Sequence, residues 1–439
     1  MPDSACVLAA LVLCYVAVQS IFLVSDSQMK HSFAPAFLLG LLVGILSFRT
    51  GPVLAGSSDP LASALGLPKA SLMLEAGGRV QIARQADLPM VPASTMKILT
   101  ALAAIQRWGL DHRFHTDFHS ANDGWLWVEG RGDPYLVSEE IDLMILALKR
   151  RGVRTVAGIG VDDGLFSPRL EIGGRSSSNN PYDAPVTALA ANFNTLAVVN
   201  KGGRVRSAES QTPLTPISRK IGKRLGPGKH RVNLKDRETA VRYFGELFAA
   251  KLGEAGVAVS GGVRIGRVPP TAKHLYRHEN SRDLRAVLTP MLKYSNNFIA
   301  NDLFVLLAER GGRRNLDMGR AQRVAQTWAA ETFTWHGHRI EDGAGLSRGN
   351  RLSARQLLDT VKAFSPYRVL LPAQNGRVRA KTGTLKGVSC YAGFVKRHGR
   401  WEPFSLLINQ PVDYNLRLRV ADALASVPDA SAYCPGSSC

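Results

Sequence analysis

Residues 70–90 alternate apolar and polar positions on either side of Gly77-Gly78, the pattern of a β-hairpin closed by a tight turn. A helix is predicted next, from about 94 to 107. Met96, Leu99, Leu102, Ala103 and Ile105 leave it little polar face, so it should lie buried, with Pro92 marking its entry. From about 112 to 275 the texture changes. Short strand-like runs (WLWVEG, TVAGIGVDD, NTLAVVN, GVRIGRV) are divided by Gly- and Pro-rich turns, with helical segments near 138–152 and 238–256. This stretch reads as an inserted α+β domain. Beyond about 283, helical patterning returns in LRAVLTPMLKYSNNFIANDLFVLLAER, AQRVAQTWAAE and ARQLLDTVKAF. Three strand candidates follow, RVRAKTG, VSCYAGFVKR and WEPFSLLINQ, the last two joined by a His398-Gly399 turn. A helix over LRLRVADALASV closes the pattern.

The N-terminus is patterned differently. Two apolar runs occupy roughly 6–24 and 33–47, without the polar-face period of core helices. The second has the layout of a signal peptide: Met29, Lys30 and His31, then an apolar middle, then Val53-Leu54-Ala55 with cleavage expected after Ala55. Residues 1–28 then read as an upstream extension, or 6–24 as a membrane anchor, at about 20 residues the length of one span. Either reading places the bulk of the chain outside the cytoplasm, in the periplasm or an equivalent space. Residues 1–55 are therefore assigned to export and 429–439 to a tail.

Composition refines this picture. The chain of 439 residues carries a formal charge of +20, which favours anionic partners. Residues 201–231 hold nine Lys/Arg and one acidic residue, Glu209, so a membrane surface or an anionic polymer could be met there. That stretch has no aromatic residue for base stacking, which argues against nucleic acid. Cys434 and Cys439 could close a small tail disulfide or stay free, and Cys390 reads as a core thiol. Neither H-E-x-x-H nor a P-loop occurs, and no metal or cofactor is expected.

Three short motifs carry chemistry: Ser94-Thr95-Met96-Lys97, Ser295-Asn296-Asn297 and Lys381-Thr382-Gly383-Thr384. S-x-x-K recurs at Ser27-Lys30, and S-x-N at Ser120, Ser177 and Ser178, so context selects among them. Together and in this order they form the S-x-x-K, S-x-N, K-T-G set of serine penicillin-recognising enzymes. Positions three apart on a helix share a face, so Lys97 can reach Ser94. A serine hydroxyl needs a neighbour to take its proton, and a lysine can do so only when neutral. Burial and a second cation, with Lys381 the candidate, would lower the Lys97 pKa. The amides of Ser94 and of the strand near Thr384 could hold an oxyanion. Ser295 could relay a proton to the leaving group, Asn297 hold the substrate amide, and Lys381 and Thr382 bind a terminal carboxylate. Gly383 would let substrate lie close along the strand.

With these motifs stand GRGDPYL (130–136), GVDDGLF (160–166), YDAPVTALAANFNTLAV (182–198) and EDGAGLSRGNRLSARQLL (341–358). The chain resembles the penicillin-binding protein 4 type of D-alanyl-D-alanine carboxypeptidase/endopeptidase over most of residues 60–425. The resemblance implies a β-lactamase/transpeptidase-like α+β domain, a central antiparallel sheet flanked by helices, built from 60–111 and 276–428 and interrupted by the insert 112–275. It implies an enzyme acting on peptidoglycan stem peptides and inhibited by β-lactams. Ser94 would be nucleophile and Lys97 base, Ser295 and Asn297 would complete the cleft, and Lys381, Thr382 and Thr384 would line its strand side. Arg348 matches an arginine that binds the distal carboxylate of diaminopimelate. Two departures stand out. Asn296 replaces the family's frequent Asp, and GGRSSSNNPYD offers no clear counterpart of the acidic residue that some members place at the diaminopimelate amine. The insert is also shorter than in larger members.

Two rival readings are a β-lactamase-like hydrolase and a non-catalytic cell-wall-binding protein. No distinct glutamate motif for fast deacylation is found, and the long insert also speaks against the first. Retention of Ser94, Lys97 and Lys381 speaks against the second.

Overall fold

The computed structural model describes residues 59–427; the export segment, Cys6, Cys14, the Ala55 cleavage position, Cys434 and Cys439 lie outside them. A short helix α1 (Pro60–Leu65) leads into β1 (Ala70–Ala76) and β2 (Arg79–Arg84). Their hairpin turns at Gly77 and Gly78, both at positive φ (58° and 75°), as the sequence pattern requires. Next come α2 (Met96–Trp108), β3 (Arg113–Ser120), β4 (Trp125–Gly130), α3 (Ser138–Arg150), β5 (Thr155–Val156) and β6 (Gly158–Asp162). The chain continues through β7 (Thr195–Lys201), β8 (Arg204–Ser207), α4 (Pro216–Lys223), β9 (Gly228–Asn233), α5 (Arg237–Glu254), β10 (Ala258–Val259), β11 (Val263–Ile265) and β12 (Lys273–Asp283). It closes with α6 (Leu284–Lys293), α7 (Asn297–Leu306), α8 (Met318–Phe333), α9 (Ala354–Ala363), β13 (Ala373–Gln374), β14 (Val378–Leu385), β15 (Val388–Arg397), β16 (Arg400–Ile408) and α10 (Leu416–Leu424).

One six-stranded antiparallel sheet, ordered β13-β14-β15-β16-β1-β2, joins strands from both ends of the described chain. It is covered on both faces. Met73, Cys390, Ala392, Phe394 and Leu407 point into a core shared with α2, α6, α7, α8 and α9. Leu72, Leu74, Tyr391, Phe404 and Leu406 point into a second core with α1 and α10. This explains why β15 is apolar almost throughout rather than alternating: Val388, Cys390, Ala392 and Phe394 face one core, and Tyr391 and Val395 the other. The α+β architecture expected from the sequence is present, with helices flanking a central antiparallel sheet.

The insert has its own core, in which α3 and α5 pack on the sheet β11-β6-β4-β3-β12 and on the small sheet β8-β7-β9. The boundary expected at 275 falls inside β12, which pairs with β3 from Lys273–Ser120 to Asp283–Arg113. All nine basic residues of 201–231 are exposed on the small sheet and α4. Among the described residues, no helix is long and apolar enough to cross a membrane.

Candidate active site

Ser94 sits in a tight turn, Ala93–Thr95, immediately before α2. Four contacts hold that turn. Met90 and Leu352 exchange backbone hydrogen bonds (2.9 and 3.0 Å). Val91 is clamped by the Asn409 amide, which accepts from its N–H at 2.8 Å and donates to its carbonyl at 3.1 Å. Gly383 of β14 and Gly345 of the 341–350 loop press on the turn from two sides. A Cβ on Gly383 would stand 2.8 Å from the Pro92 carbonyl, and one on Gly345 only 1.9 Å from the Ala93 carbonyl. Ala93 itself is at φ 48°, so the turn is strained and over-determined by its surroundings.

Lys97, fully buried on the first turn of α2, points back at Ser94. Its Nζ lies 3.0 Å from Ser94 Oγ and donates to Asn297 Oδ1 (2.8 Å) and the Ala344 carbonyl (2.8 Å), which leaves the lone pair of a neutral amine for the Ser94 hydroxyl. Burial, helped by the charge of Lys381, holds its pKa well below the usual lysine value, with Asp342 opposing. Asn297 begins α7. The sequence pattern runs on as one helical segment here, but the structure breaks it at Ser295, which adopts φ 56° between α6 and α7. The break leaves Ser295 half-buried, two residues before Asn297. Asn296 caps α7, its side chain accepting from the Ile299 N–H at 3.1 Å. An aspartate can do the same, which accounts for the departure in this motif.

Lys381, 2% exposed, donates to the Thr382 carbonyl at 2.8 Å. Burial, then the charge of Arg417, pushes its pKa down to about 7. β13 pairs with β14 only at Val378 and Arg379, so from Lys381 to Leu385 the outer edge of β14 has no strand partner among the described residues, while Gly383 packs its face against the Ser94 turn. That open edge beside a nucleophile can accept an extended peptide as an added strand. Thr382 is half-buried and Thr384 exposed along it. Arg348 is exposed at the end of this strand and donates to the Lys386 carbonyl at 2.5 Å. The structure brings Ser94, Lys97, Asn297, Lys381 and Gly383 together. Thr382 and Thr384 lie on the same strand as Lys381 and Gly383. Ser295 stands two residues before Asn297 and Arg348 at the strand's end, neither with a hydrogen bond to Ser94 or Lys97 among the described residues.

Several contributors escaped sequence reading. The Ala344 carbonyl is a backbone group with no side-chain signature. Its loop is folded around the buried Asp342, which accepts from the N–H groups of Ala344, Leu346 and Ser347 (2.9, 3.0 and 2.8 Å). Asn301 Oδ1 accepts from Gly343 and Ala344 (2.9 and 3.1 Å). It lies four residues after Asn297 on one helix face, a spacing that could have flagged it. Arg417 reaches β14 from the last helix. The single carboxylate of GGRSSSNNPYD, Asp183, is spent on its own loop, accepting from Ser176 N (2.9 Å) and Ser176 Oγ (2.6 Å). Among the described residues, no cluster of three or more His, Cys, Asp or Glu side chains could hold a metal ion.

Known proteins are similar to this chain. The chain is 28% identical to a D-alanyl-D-alanine carboxypeptidase of an Actinomadura species over 80% of its own length and 79% of that protein. It is 26% identical to carboxypeptidase DacB of Mycolicibacterium smegmatis over 91% of each. Penicillin-binding protein 4 of Haemophilus influenzae superposes with a TM-score of 0.67 at 20% identity, covering 81% of this chain and 95% of that one, which shows a common fold. The D-Ala-D-Ala carboxypeptidase 3 (S13) family matches residues 73–214, 228–372 and 365–430, so both cleft-forming segments and the insert between them fall inside one family pattern. The chain belongs to that family of serine-type D-Ala-D-Ala carboxypeptidases.

Proposed function

We propose that this enzyme cleaves D-alanyl peptide bonds of peptidoglycan stem peptides through an acyl-enzyme on Ser94, and that penicillin acylates the same oxygen. The observation that carries this reading is the Lys97 amine: fully buried, 3.0 Å from Ser94 Oγ and biased toward its neutral form. Lys97 takes the Ser94 proton as Oγ attacks the carbonyl carbon of the penultimate D-Ala. Negative charge on the carbonyl oxygen is met by the Ser94 amide and the amide of Thr384. Collapse breaks the C–N bond, and the departing amine receives a proton by way of Ser295. An ester on Ser94 remains, and water hydrolyses it. Asn297 holds the substrate amide while keeping Lys97 oriented through its Oδ1. Lys381, Thr382 and Thr384 face the terminal carboxylate, and Arg348 the distal carboxylate of the stem peptide's side chain. The basic surface of 201–231 meets an anionic cell-wall polymer or membrane surface, and the enzyme works outside the cytoplasm.

The test is intact mass after penicillin addition, beside Ser94→Ala. A one-to-one adduct that persists, absent from the variant, is the expected result. Rapid penicillin loss without an adduct would point to a β-lactamase, and neither adduct nor loss would refute the acyl-enzyme.

A further inference from the structure

Arg417 is a further, buried cation behind β14, 1% exposed and reaching the strand from α10. Its contacts are polar or aromatic, not acidic: Nη1 donates to the Gly383 carbonyl (2.9 Å) and to Thr384 Oγ1 (2.6 Å), and the guanidinium lies 4.6 Å from the Tyr414 ring centre. Its Nε is buried without a partner. Lys381, the nearer cation of the strand, likewise donates only to a carbonyl. A buried charge without a counter-charge is unfavourable, and the imbalance is relieved when an anion arrives. Unlike lysine, an arginine side chain holds its proton throughout the neutral range, whereas Lys381 titrates at about 7. Arg348 stands exposed beyond the end of β14, so the buried guanidinium behind the strand is that of Arg417.

Hydrogen-bond bookkeeping gives the charge a route outward. Arg417 can only donate, so Thr384 Oγ1 accepts from it, and the threonine's own proton remains free to donate elsewhere. Thr384 is exposed on the open end of β14. We propose that Arg417 is the positioning residue that makes this cleft select acyl donors with a free carboxylate, by holding Thr384 as an outward donor and supplying the permanent charge behind it. This rests on the Ser94 acyl-transfer reading and assigns its carboxylate selectivity to a residue on the final helix.

The experiment compares acylation rate constants for benzylpenicillin and its uncharged methyl ester, by intact mass. It uses the wild type, Arg417→Met, Arg417→Lys, Thr384→Val and the Thr384→Val/Arg417→Met pair. A charge-assisted hydrogen bond of ordinary strength predicts that the acid-to-ester ratio falls about 30-fold in Arg417→Met. Arg417→Lys, which keeps the charge, should recover part of it. The double variant should be no worse than the poorer single one, because both act through one hydroxyl. The ester rate reports whether each variant is folded, and Arg417→Lys and Thr384→Val remain informative if Arg417→Met is not. Equal slowing of both donors would reduce Arg417 to a prop for the strand and overturn the proposal, as would additive effects in the double variant. A wild type that reacts equally with acid and ester overturns it too, while a wild type that reacts with neither refutes the Ser94 reading instead.

Discussion

Gly345→Ala tests how tightly the Ser94 turn is positioned. Gly345 is at φ 77°, and its added Cβ would lie 1.9 Å from the Ala93 carbonyl oxygen, 2.4 Å from the carbonyl carbon and 3.1 Å from the Ser94 nitrogen. Real Cβ contacts stay beyond 3.0 Å, so the loop and the turn must separate by about 1.1 Å, the difference between 3.0 and 1.9. The atoms in the way are backbone of the turn that carries the nucleophile, so no flexible side chain can absorb the shift. A misplacement of about 1 Å is worth about 100-fold in rate. The left-handed backbone adds about 1–3 kcal/mol of strain. Gly399→Ala is the matched control. Its φ is 80°, yet a Cβ there meets nothing within 4 Å, in the β15–β16 turn away from Ser94. Penicillin acylation should fall about 100-fold in Gly345→Ala and stay near wild type in Gly399→Ala, with both melting earlier. Wild-type acylation in Gly345→Ala would refute the argument that close approach aligns Ser94. Equal loss in both would assign the effect to general destabilisation.

Other outcomes follow from charge and capping. If Lys381 must be charged to attract a carboxylate, kcat/KM should fall as pH rises through about 7, its pKa in the free enzyme. The kcat limb should lie higher, because a bound carboxylate holds the proton; a flat kcat/KM profile across neutral pH would contradict this. Asn296→Asp should keep both acylation and stability, since the aspartate still caps α7, whereas Asn296→Ala should lose about 1 kcal/mol in denaturant unfolding. Asp302 is buried with both carboxyl oxygens unpartnered, and burial, with Asp133 and Asp163 nearby, raises its pKa well above 3.8. A raised acid favours the fold below its unfolded pKa and loses that contribution as pH rises. The melting-temperature gain of Asp302→Asn over wild type should therefore grow from about pH 4 to about pH 8, and a gain that shrinks would show that Asp302 is ionised in the fold.

Much of this molecule was legible in the sequence because the relevant physics is local. The Gly77-Gly78 and His398-Gly399 turns demand positive φ, which short-range chemistry announces. The apolar pattern of 96–105 announces a buried helix, and i to i+3 spacing alone puts Lys97 beside Ser94. What the sequence pattern could not decide was set by contacts between distant segments. It ran one helical segment through 284–310, and packing at the cleft broke it at Ser295. It ended the insert at 275, but hydrogen bonding to β3 carried β12 to Asp283. The Ala344 carbonyl on Lys97 and the Arg417 guanidinium on Thr384 join residues 247 and 33 positions apart. Neither contact has a local pattern, since a backbone acceptor looks the same at every residue and a lone arginine in a surface-like helix looks solvated. Which residue types could do this chemistry was written in the motifs. How far the Lys97 and Lys381 amines move from their ordinary pKa was decided only by burial and neighbouring charge in the folded chain.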